Sequence, residues 1–149
     1  MTDSGKMKKE YEFFLKYKHE TEDGGPINRD DRSKWLIHFN GPKDSDYEEG
    51  RFHVEVNFIN YPNEIPKCYF KNCDLLHPNI HENGKVCFGN LKWNSNMNVL
   101  DILNALYKLL KKPNFNDGWD NKQIRDFHEK NPKDYSNTVK QIVREFCKN

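Results

Sequence analysis

The sequence predicts an α+β fold: an N-terminal helix, a four-stranded antiparallel meander sheet, an irregular segment, and then C-terminal helices. Three observations predict it. Near the middle, one segment alternates strictly between apolar and polar residues, which is typical of a half-solvated strand. Apolar residues recur at helical spacing towards both ends of the chain. Between the strands and the last helices, about 20 residues follow neither period.

The first element is a predicted amphipathic helix within residues 3–20. Asp3 and Ser4 are candidate N-cap residues because their side chains can accept hydrogen bonds from the first turn. The apolar residues that follow stand at mostly helical spacing: Met7, Tyr11, Phe14, Leu15 and Tyr17.

Four strand-like segments joined by short turns predict the antiparallel meander. The first lies near Ile27, inside a loop that is rich in glycine. The second covers residues 35–40, and the fourth covers residues 67–70. The third, residues 51–59, is the clearest, because its apolar and polar side chains alternate without exception from Phe52 to Phe58.

The second half begins with an irregular segment, residues 77–98, that is dense in Asn, Gly and Pro. Such a stretch inside a compact domain is uncommon and often functional. A strong helical stripe then covers residues 99–110 and stops before Pro113. Two more helices are predicted over residues 121–131 and 132–148. The length of 149 residues fits a single domain over residues 1–149.

Composition narrows the functional classes. The formal net charge of +1 argues against electrostatic binding of nucleic acid or of an anionic membrane. No apolar run approaches the ~20 residues of a membrane span, and the N-terminus has no signal-peptide core. We therefore expect a cytoplasmic or nuclear protein with no nucleic-acid or membrane partner. In that reducing setting the four cysteines are expected to be free thiols: Cys68, Cys73, Cys87 and Cys147.

Cys87 is a candidate nucleophile because it stands among polar residues of the irregular segment rather than in an apolar stripe. The ordinary role of a cysteine, a small buried hydrophobe, fits Cys68 and Cys147. A hydrolytic Cys–His pair with His77 or His81 remains open. A zinc site is a further alternative, since Cys and His are its usual ligands. Its spacing lacks a C-x-x-C knuckle, and no metal is expected.

The order of short motifs resembles that of the ubiquitin-conjugating enzyme family. His77-Pro78-Asn79 is followed by Cys87, which stands eight residues after Asn79. Further matches run in family order along nearly the whole chain: Gly41-Pro42, Tyr47-Glu48-Glu49-Gly50-Arg51-Phe52, Tyr61-Pro62, Pro66-Lys67, Asn83-Gly84, Trp93, and Pro113-Asn114 with Asp117. A lone His-Pro-Asn is weak evidence, whereas the ordered set is specific.

The resemblance implies that Cys87 accepts ubiquitin from an activating enzyme as a thioester. It then passes ubiquitin to a lysine of a protein substrate or to a ubiquitin ligase. Asn79 would steady the oxyanion or hold the active-site loop, and Asp117 would orient the incoming lysine. The implied supporting residues are His77, Pro78, Trp93 and Asn114. A cis peptide is expected at Tyr61-Pro62. No bound cofactor is implied, because ATP and Mg are used by the activating enzyme.

Several positions depart from the family pattern. Gly89 stands where many members carry an acid or Ser. Asn63 stands where many members present Phe to a ligase, and Asn94 and Ser95 begin a loop that is usually of the Ser-Pro-Ala type. These changes remove the apolar anchors that usually supply much of the energy of a small interface.

Partner identity therefore stays open. The N-terminal helix suits docking to an activating enzyme through its basic residues Lys6, Lys8 and Lys9. The altered loops leave a ubiquitin-like modifier, SUMO or a Nedd-type protein, as an alternative to ubiquitin. A non-catalytic scaffold of the same fold that binds ubiquitin is the remaining alternative, and the presence of Cys87 argues against it.

Overall fold

The computed structural model describes residues 4–72, 74–89, 91–116 and 122–148. In these ranges the order of elements is the predicted one, so the α+β prediction is confirmed. The elements are α1 (Ser4–Tyr17), β1 (Asp23–Pro26), β2 (Lys34–Asn40), β3 (Arg51–Asn57), β4 (Lys67–Phe70), α2 (Val99–Lys111), α3 (Lys122–Lys130) and α4 (Pro132–Phe146). None of the helices described is long and apolar enough to cross a membrane.

The sheet is an antiparallel meander with strand order β1-β2-β3-β4. Strands β2 and β3 pair along their full lengths, with Phe39 opposite Phe52 and Trp35 opposite Val56. The alternating burial of β3 confirms the prediction from its sequence period. The first strand ends at Pro26, one residue before the predicted centre, and Ile27 is 56% exposed.

The core lies between the buried face of the sheet and the helices. Trp35 of β2 contacts Tyr11 and Phe14 of α1, with ring centroids 5.6 and 5.9 Å away. Phe39 meets Tyr107 of α2 at 5.2 Å. Such edge-to-face pairs add to the burial of their large apolar areas. The core therefore fixes α1 and α2 to the same face of the sheet.

The apolar stripe predicted for α1 is partly wrong. Leu15 and Tyr17 are 49% and 56% exposed, whereas Glu10 is 8% exposed. Residues 7, 10 and 14 share the helix face that meets the core, because they are three and four positions apart. The Glu10 carboxylate is tolerated there because one oxygen accepts hydrogen bonds from Tyr61 Oη and the Val99 amide, both at 2.7 Å. Glu10 thus joins α1 to the start of α2.

The expectation of four free thiols is wrong for Cys147, which is disulfide-bonded. Cys68 and Cys87 are free, as expected. Cys147 is fully buried, and its carbonyl accepts from the Arg51 amide at 2.9 Å, so the end of α4 lies against β3. The sequence does not reveal this contact, because the end of α4 and the start of β3 are far apart in the chain.

Candidate active site

Residues 77–87 are irregular in sequence, yet they are firmly held beside β4. The Val86 amide donates to the Cys68 carbonyl at 2.9 Å. Gly84 has φ +89°, and a Cβ there would lie 2.1 Å from the Phe70 carbonyl oxygen, so the close approach requires glycine. The segment folds back on itself, and the Cys87 amide donates to the Asn79 carbonyl at 2.8 Å. Cys87 is therefore placed directly beside Asn79.

Asn79 is clamped to the segment that follows α2. Its side-chain Nδ2 donates to the Asn114 carbonyl at 2.9 Å, and its Oδ1 accepts from the Asn114 amide at 2.8 Å. Asn79 is 1% exposed. Both contacts use the main chain of Asn114, whose own side-chain oxygen accepts from the Asn116 amide at 3.0 Å. Two hydrogen bonds thus join Asn79 to Asn114, and both residues were predicted to belong to the site.

His77 has a fixed tautomer. Its Nδ1 accepts from the Asn79 amide at 2.9 Å, which leaves the ring proton on Nε2 for donation to the Leu109 carbonyl at 2.7 Å. The ring is fully buried, and burial lowers the pKa of His77 to about 4 against the weaker opposing effect of the Leu109 hydrogen bond. His77 is therefore a neutral residue that joins residues 77–79 to α2 by hydrogen bonds.

The other predicted supporting residues lie around this frame. Pro78 is buried between His77 and Asn79. Trp93 donates from Nε1 to the Pro62 carbonyl at 2.8 Å and packs on the Tyr61 ring at 5.8 Å. The Tyr61-Pro62 peptide is cis, as predicted. Asp117 lies outside the described residues.

The residues predicted to bind partners lie on segments joined through Tyr61. Lys6 places its Nζ 5.4 Å from the centre of the Tyr61 ring, and the oxygen of the Tyr61 hydroxyl, which donates to Glu10, also lies 3.0 Å from the Met97 carbonyl oxygen. Helix α1 therefore contacts the start of the loop that contains Asn63, and Tyr61 connects that loop to Met97, just after Asn94 and Ser95. The side chains offered there are polar, since five predicted contact residues are exposed: Lys8, Lys9, Asn63, Asn94 and Ser95.

Cys87 and Cys68 differ in their exposure to solvent, which controls how reactive a thiol can be. Cys87 is partly exposed, whereas Cys68 is fully buried, and burial raises the pKa of the Cys68 thiol well above its ordinary value. A groove of about 600 Å³ is lined by Phe88 and Leu91 on one side and by residues of α2, Ala105 among them, on the other. Cys87 is thus a partly exposed thiol, and the residue that follows it in the chain lines a groove.

The hydrolytic alternative loses one of its two candidate bases. A pair of Cys87 with His77 would need a free ring nitrogen on His77, but both nitrogens are already hydrogen-bonded inside the protein. A zinc site would need several ligands together, and no group of three or more His, Cys, Asp or Glu residues among those described could hold a metal ion.

A sequence model of the family described as "Ubiquitin-conjugating enzyme" matches residues 6–143. This chain belongs to the ubiquitin-conjugating enzyme family. Membership places it among the ubiquitin-conjugating transferases and confirms the family resemblance.

Among curated relatives of this ubiquitin-conjugating enzyme family member, a probable ubiquitin-conjugating enzyme E2 L460 of Acanthamoeba polyphaga mimivirus is 29% identical. That match covers 76% of this chain and 71% of the relative. Ubiquitin-conjugating enzyme E2 1 of Caenorhabditis elegans is also 29% identical, over 81% of this chain and 64% of the relative. Ubiquitin-conjugating enzyme E2 2 of Mycosarcoma maydis is 32% identical, over 73% and 60%. The chain thus spans less than two thirds of the last two relatives.

Several site contributions of this family member were not predicted from its sequence. The Leu109 carbonyl and the Glu10 carboxylate were missed, as was the aromatic contact between Phe115 and His128, whose ring centroids are 3.8 Å apart. A main-chain carbonyl has no side-chain signature. Glu10 had a usable signal, because it stands three residues after Met7 and four before Phe14, on the buried face of α1.

Proposed function

We propose that Cys87 carries the C-terminal carboxyl group of ubiquitin as a thioester and passes it to an amine. The observation that carries the proposal is the placement of the thiol. Of the two free cysteines among the described residues, Cys68 is sealed in the core, and only Cys87 reaches the surface. It does so beside the Asn79–Asn114 pair, and both Phe88, the next residue, and Asn114 line a groove along α2.

The chemistry balances without a bound cofactor. In loading, the Cys87 sulfur attacks the carbonyl carbon of the thioester that joins ubiquitin to the activating enzyme. A new C–S bond forms to Cys87, the old C–S bond breaks, and the cysteine sulfur of the activating enzyme leaves as a thiolate. In discharge, an amine nitrogen attacks the same carbon, an amide forms, and the Cys87 sulfur leaves. The amine's proton passes to water or to a nearby base. ATP and Mg are consumed upstream, by the activating enzyme.

No histidine base is required beside the thiol. A thiolate is both a good nucleophile and a good leaving group, so thioester exchange proceeds between sulfurs without a strong base. His77 is buried, and its low pKa keeps it neutral at physiological pH. Its proposed contribution is to join residues 77–79 to α2 through the Leu109 carbonyl.

For Asn79, the contacts favour holding the active-site segment over donating to an oxyanion. Its amide oxygen and nitrogen both face the Asn114 main chain at hydrogen-bond distance. The wall beside Cys87 is thereby built from two segments that are 35 residues apart. A preorganised wall lowers the cost of aligning an incoming amine with the thioester.

The groove that is lined by Phe88, the residue after Cys87, is proposed to hold an extended peptide tail. Its apolar lining includes Phe88, Leu91 and Met97, and the exposed side of α2 forms its other wall. A flexible C-terminal tail can lie in such a groove with its carboxyl carbon at the Cys87 sulfur. The proposed catalytic unit therefore comprises the active-site segment and α2 together.

Partners are proposed from the surface around Tyr61. Lys6, Lys8 and Lys9 of α1 are proposed to meet the activating enzyme, whereas Asn63, Asn94 and Ser95 face a ligase. The exposed polar side chains at the last three positions favour polar contacts there over the apolar anchoring of many family members. This observation keeps a ubiquitin-like modifier, SUMO or Nedd-type, as the second candidate.

A thioester assay tests the proposal. The protein is incubated with ATP, Mg and matched pairs of activating enzyme and modifier, for ubiquitin, SUMO and a Nedd-type protein, and is then run on non-reducing gels. One pair is expected to give an adduct that a thiol reductant removes. Cys87→Ser should give a reductant-stable ester or none, and Cys87→Ala should give none.

Cys68→Ala is the matched control, because it removes the other free thiol and should leave the adduct in place. An adduct that persists in Cys87→Ala, or that disappears in a folded Cys68→Ala protein, contradicts the proposed nucleophile. Absence of an adduct with every competent pair contradicts the enzyme activity itself.

A further inference from the structure

An aromatic stack lies next to the clamp that holds Asn79. Phe115 immediately follows Asn114, and its ring lies on the His128 ring of α3 with centroids 3.8 Å apart and planes inclined by 11°. Tyr135 of α4 meets the edges of both rings, at 5.5 Å from Phe115 and 5.2 Å from His128. Three side chains from three parts of the chain thus form one cluster.

We propose that Phe115 and His128 are positioning residues for transfer from Cys87: their stack fixes the Asn114 main chain, which in turn holds Asn79. The proposal rests on the function proposed above. Neither residue lines the groove of Phe88 and Leu91, so both act through Asn114 rather than on the substrate.

Hydrogen-bond geometry makes the position of Asn114 critical. Its carbonyl and amide meet the two ends of one side-chain amide at 2.9 and 2.8 Å. Hydrogen bonds weaken steeply when distance or angle departs from the ideal, so both bonds survive only if this peptide segment keeps its place. The segment is an irregular stretch after α2 and has no helical or strand hydrogen bonds of its own.

Asn114 is anchored from both sides. Before it, α2 ends with the Lys112 amide bonded to the Lys108 carbonyl at 2.8 Å. After it, the Phe115 ring is wedged against His128 and Tyr135. A flat stack fixes the orientation of the Phe115 side chain, and therefore the direction in which the main chain leaves Asn114. The series of contacts runs from α3 to Phe115, Asn114, Asn79 and the Cys87 amide.

The size of the effect follows from the strength of the stack. An aromatic pair contributes about 0.5–1.5 kcal/mol beyond its buried area, which corresponds to a factor of about 2–13 in an equilibrium. His128→Ala should therefore favour a displaced Asn114 over the clamped one by that factor. We expect discharge of the thioester to free lysine to slow by up to about 10-fold, with the end point of loading unchanged.

The test is single-turnover discharge of the loaded full chain, measured well below the melting temperature, for wild type, His128→Ala and His128→Phe. Amide hydrogen exchange of Asn114 is measured in parallel on the unloaded proteins. His128→Ala should discharge slowly and exchange Asn114 faster, and His128→Phe should restore both because it keeps a ring on Phe115. A purely structural role would lower the melting temperature without changing either measurement in the folded protein.

Phe127→Leu is the matched control. Phe127 also belongs to α3 and meets Tyr135 at 5.5 Å, so its replacement removes an aromatic contact of the same helix. It should leave discharge and Asn114 exchange at wild-type values. Equal slowing in Phe127→Leu, or unchanged discharge and exchange in a folded His128→Ala protein, would overturn the proposal. If wild type forms no thioester, the proposed function fails, while the exchange measurement still decides whether the stack fixes Asn114.

Discussion

Acidification is expected to destabilise this protein through His77. The ring is fully buried, its Nδ1 already accepts from the Asn79 amide, and its pKa is lowered to about 4 from an ordinary 6.5. Above pH 6.5 the ring is neutral in both the folded and the unfolded chain, so its titration does not change stability there. Below pH 6.5 His77 is protonated in the unfolded chain but not in the folded chain. The free energy of unfolding therefore falls as the pH is lowered to about 4.

The magnitude follows from the two pKa values. One pKa unit corresponds to 1.36 kcal/mol, so the difference between 6.5 and about 4 amounts to about 3 kcal/mol when pH falls below both. At pH 4.5 most of this, about 2–3 kcal/mol, is already lost. For a domain whose total stability is about 5–15 kcal/mol, this loss is large.

Urea unfolding of wild type and His77→Gln at several pH values between 7.5 and 4.5 measures the effect. Gln keeps an amide donor for the Leu109 carbonyl but does not titrate. The variant should be less stable at pH 7.5, and its stability should fall by about 2–3 kcal/mol less than that of wild type on acidification. Carboxylates titrate equally in both proteins, so their contribution cancels in the comparison.

Imidazole NMR provides the direct check. The His77 ring should remain a neutral Nε2–H tautomer throughout the range in which exposed histidines titrate. A His77 resonance that titrates near pH 6.5, or equal pH dependence of unfolding in the two proteins, would refute the burial argument.

Three further predictions concern the contacts around the site. Glu10→Leu leaves the buried Val99 amide unpaired, while the Tyr61 hydroxyl keeps the Met97 carbonyl as an acceptor. It should lower the free energy of unfolding by about 1–3 kcal/mol, whereas Glu10→Gln keeps the accepting oxygen and should cost less; thermal melting ranks the two variants. Asn98→Ala removes the side chain that caps α2 and should lower the free energy of unfolding by about 1 kcal/mol. The melting temperature should then fall by about 2–4 °C, and a melting temperature equal to that of wild type would contradict the expected role of the cap. Asn79→Ala should destabilise the protein more than Asn114→Ala, because the clamp uses the Asn114 main chain; the opposite ranking in urea unfolding would contradict the clamp.

The elements that follow a simple period were predictable from sequence. Strand β3 alternates strictly because one of its faces meets the core and the other faces outward, and burial along the strand follows that alternation. The stripe of α2 likewise matches its buried face, from Val99 to Leu110. In α1 the same reasoning failed for Leu15 and Tyr17, because apolarity alone does not reveal which side of a helix a neighbouring element covers.

The sequence could name candidate site residues but not their geometry. Cys87 and Asn79 could be named from the motif order, yet nothing in that order states that the Cys87 amide bonds the Asn79 carbonyl. The choice between two roles for Asn79 was likewise open until its amide was seen facing Asn114. Side-chain types indicate which chemistry is available, whereas hydrogen-bond partners decide how each group is used.

The two links to α2 show why geometry could not be inferred residue by residue. His77 meets the Leu109 carbonyl, 32 residues away, and Asn79 meets the Asn114 main chain, 35 residues away. Both partners are main-chain groups, which every residue possesses, so no sequence pattern marks them. Because Leu109 lies in the last turn of α2 and Asn114 follows just after the helix, residues 77–79 are joined to one short stretch of chain. The position of the Cys87 thiol therefore depends on where α2 ends, and a change that lengthens or shortens its last turn would disturb both links at once.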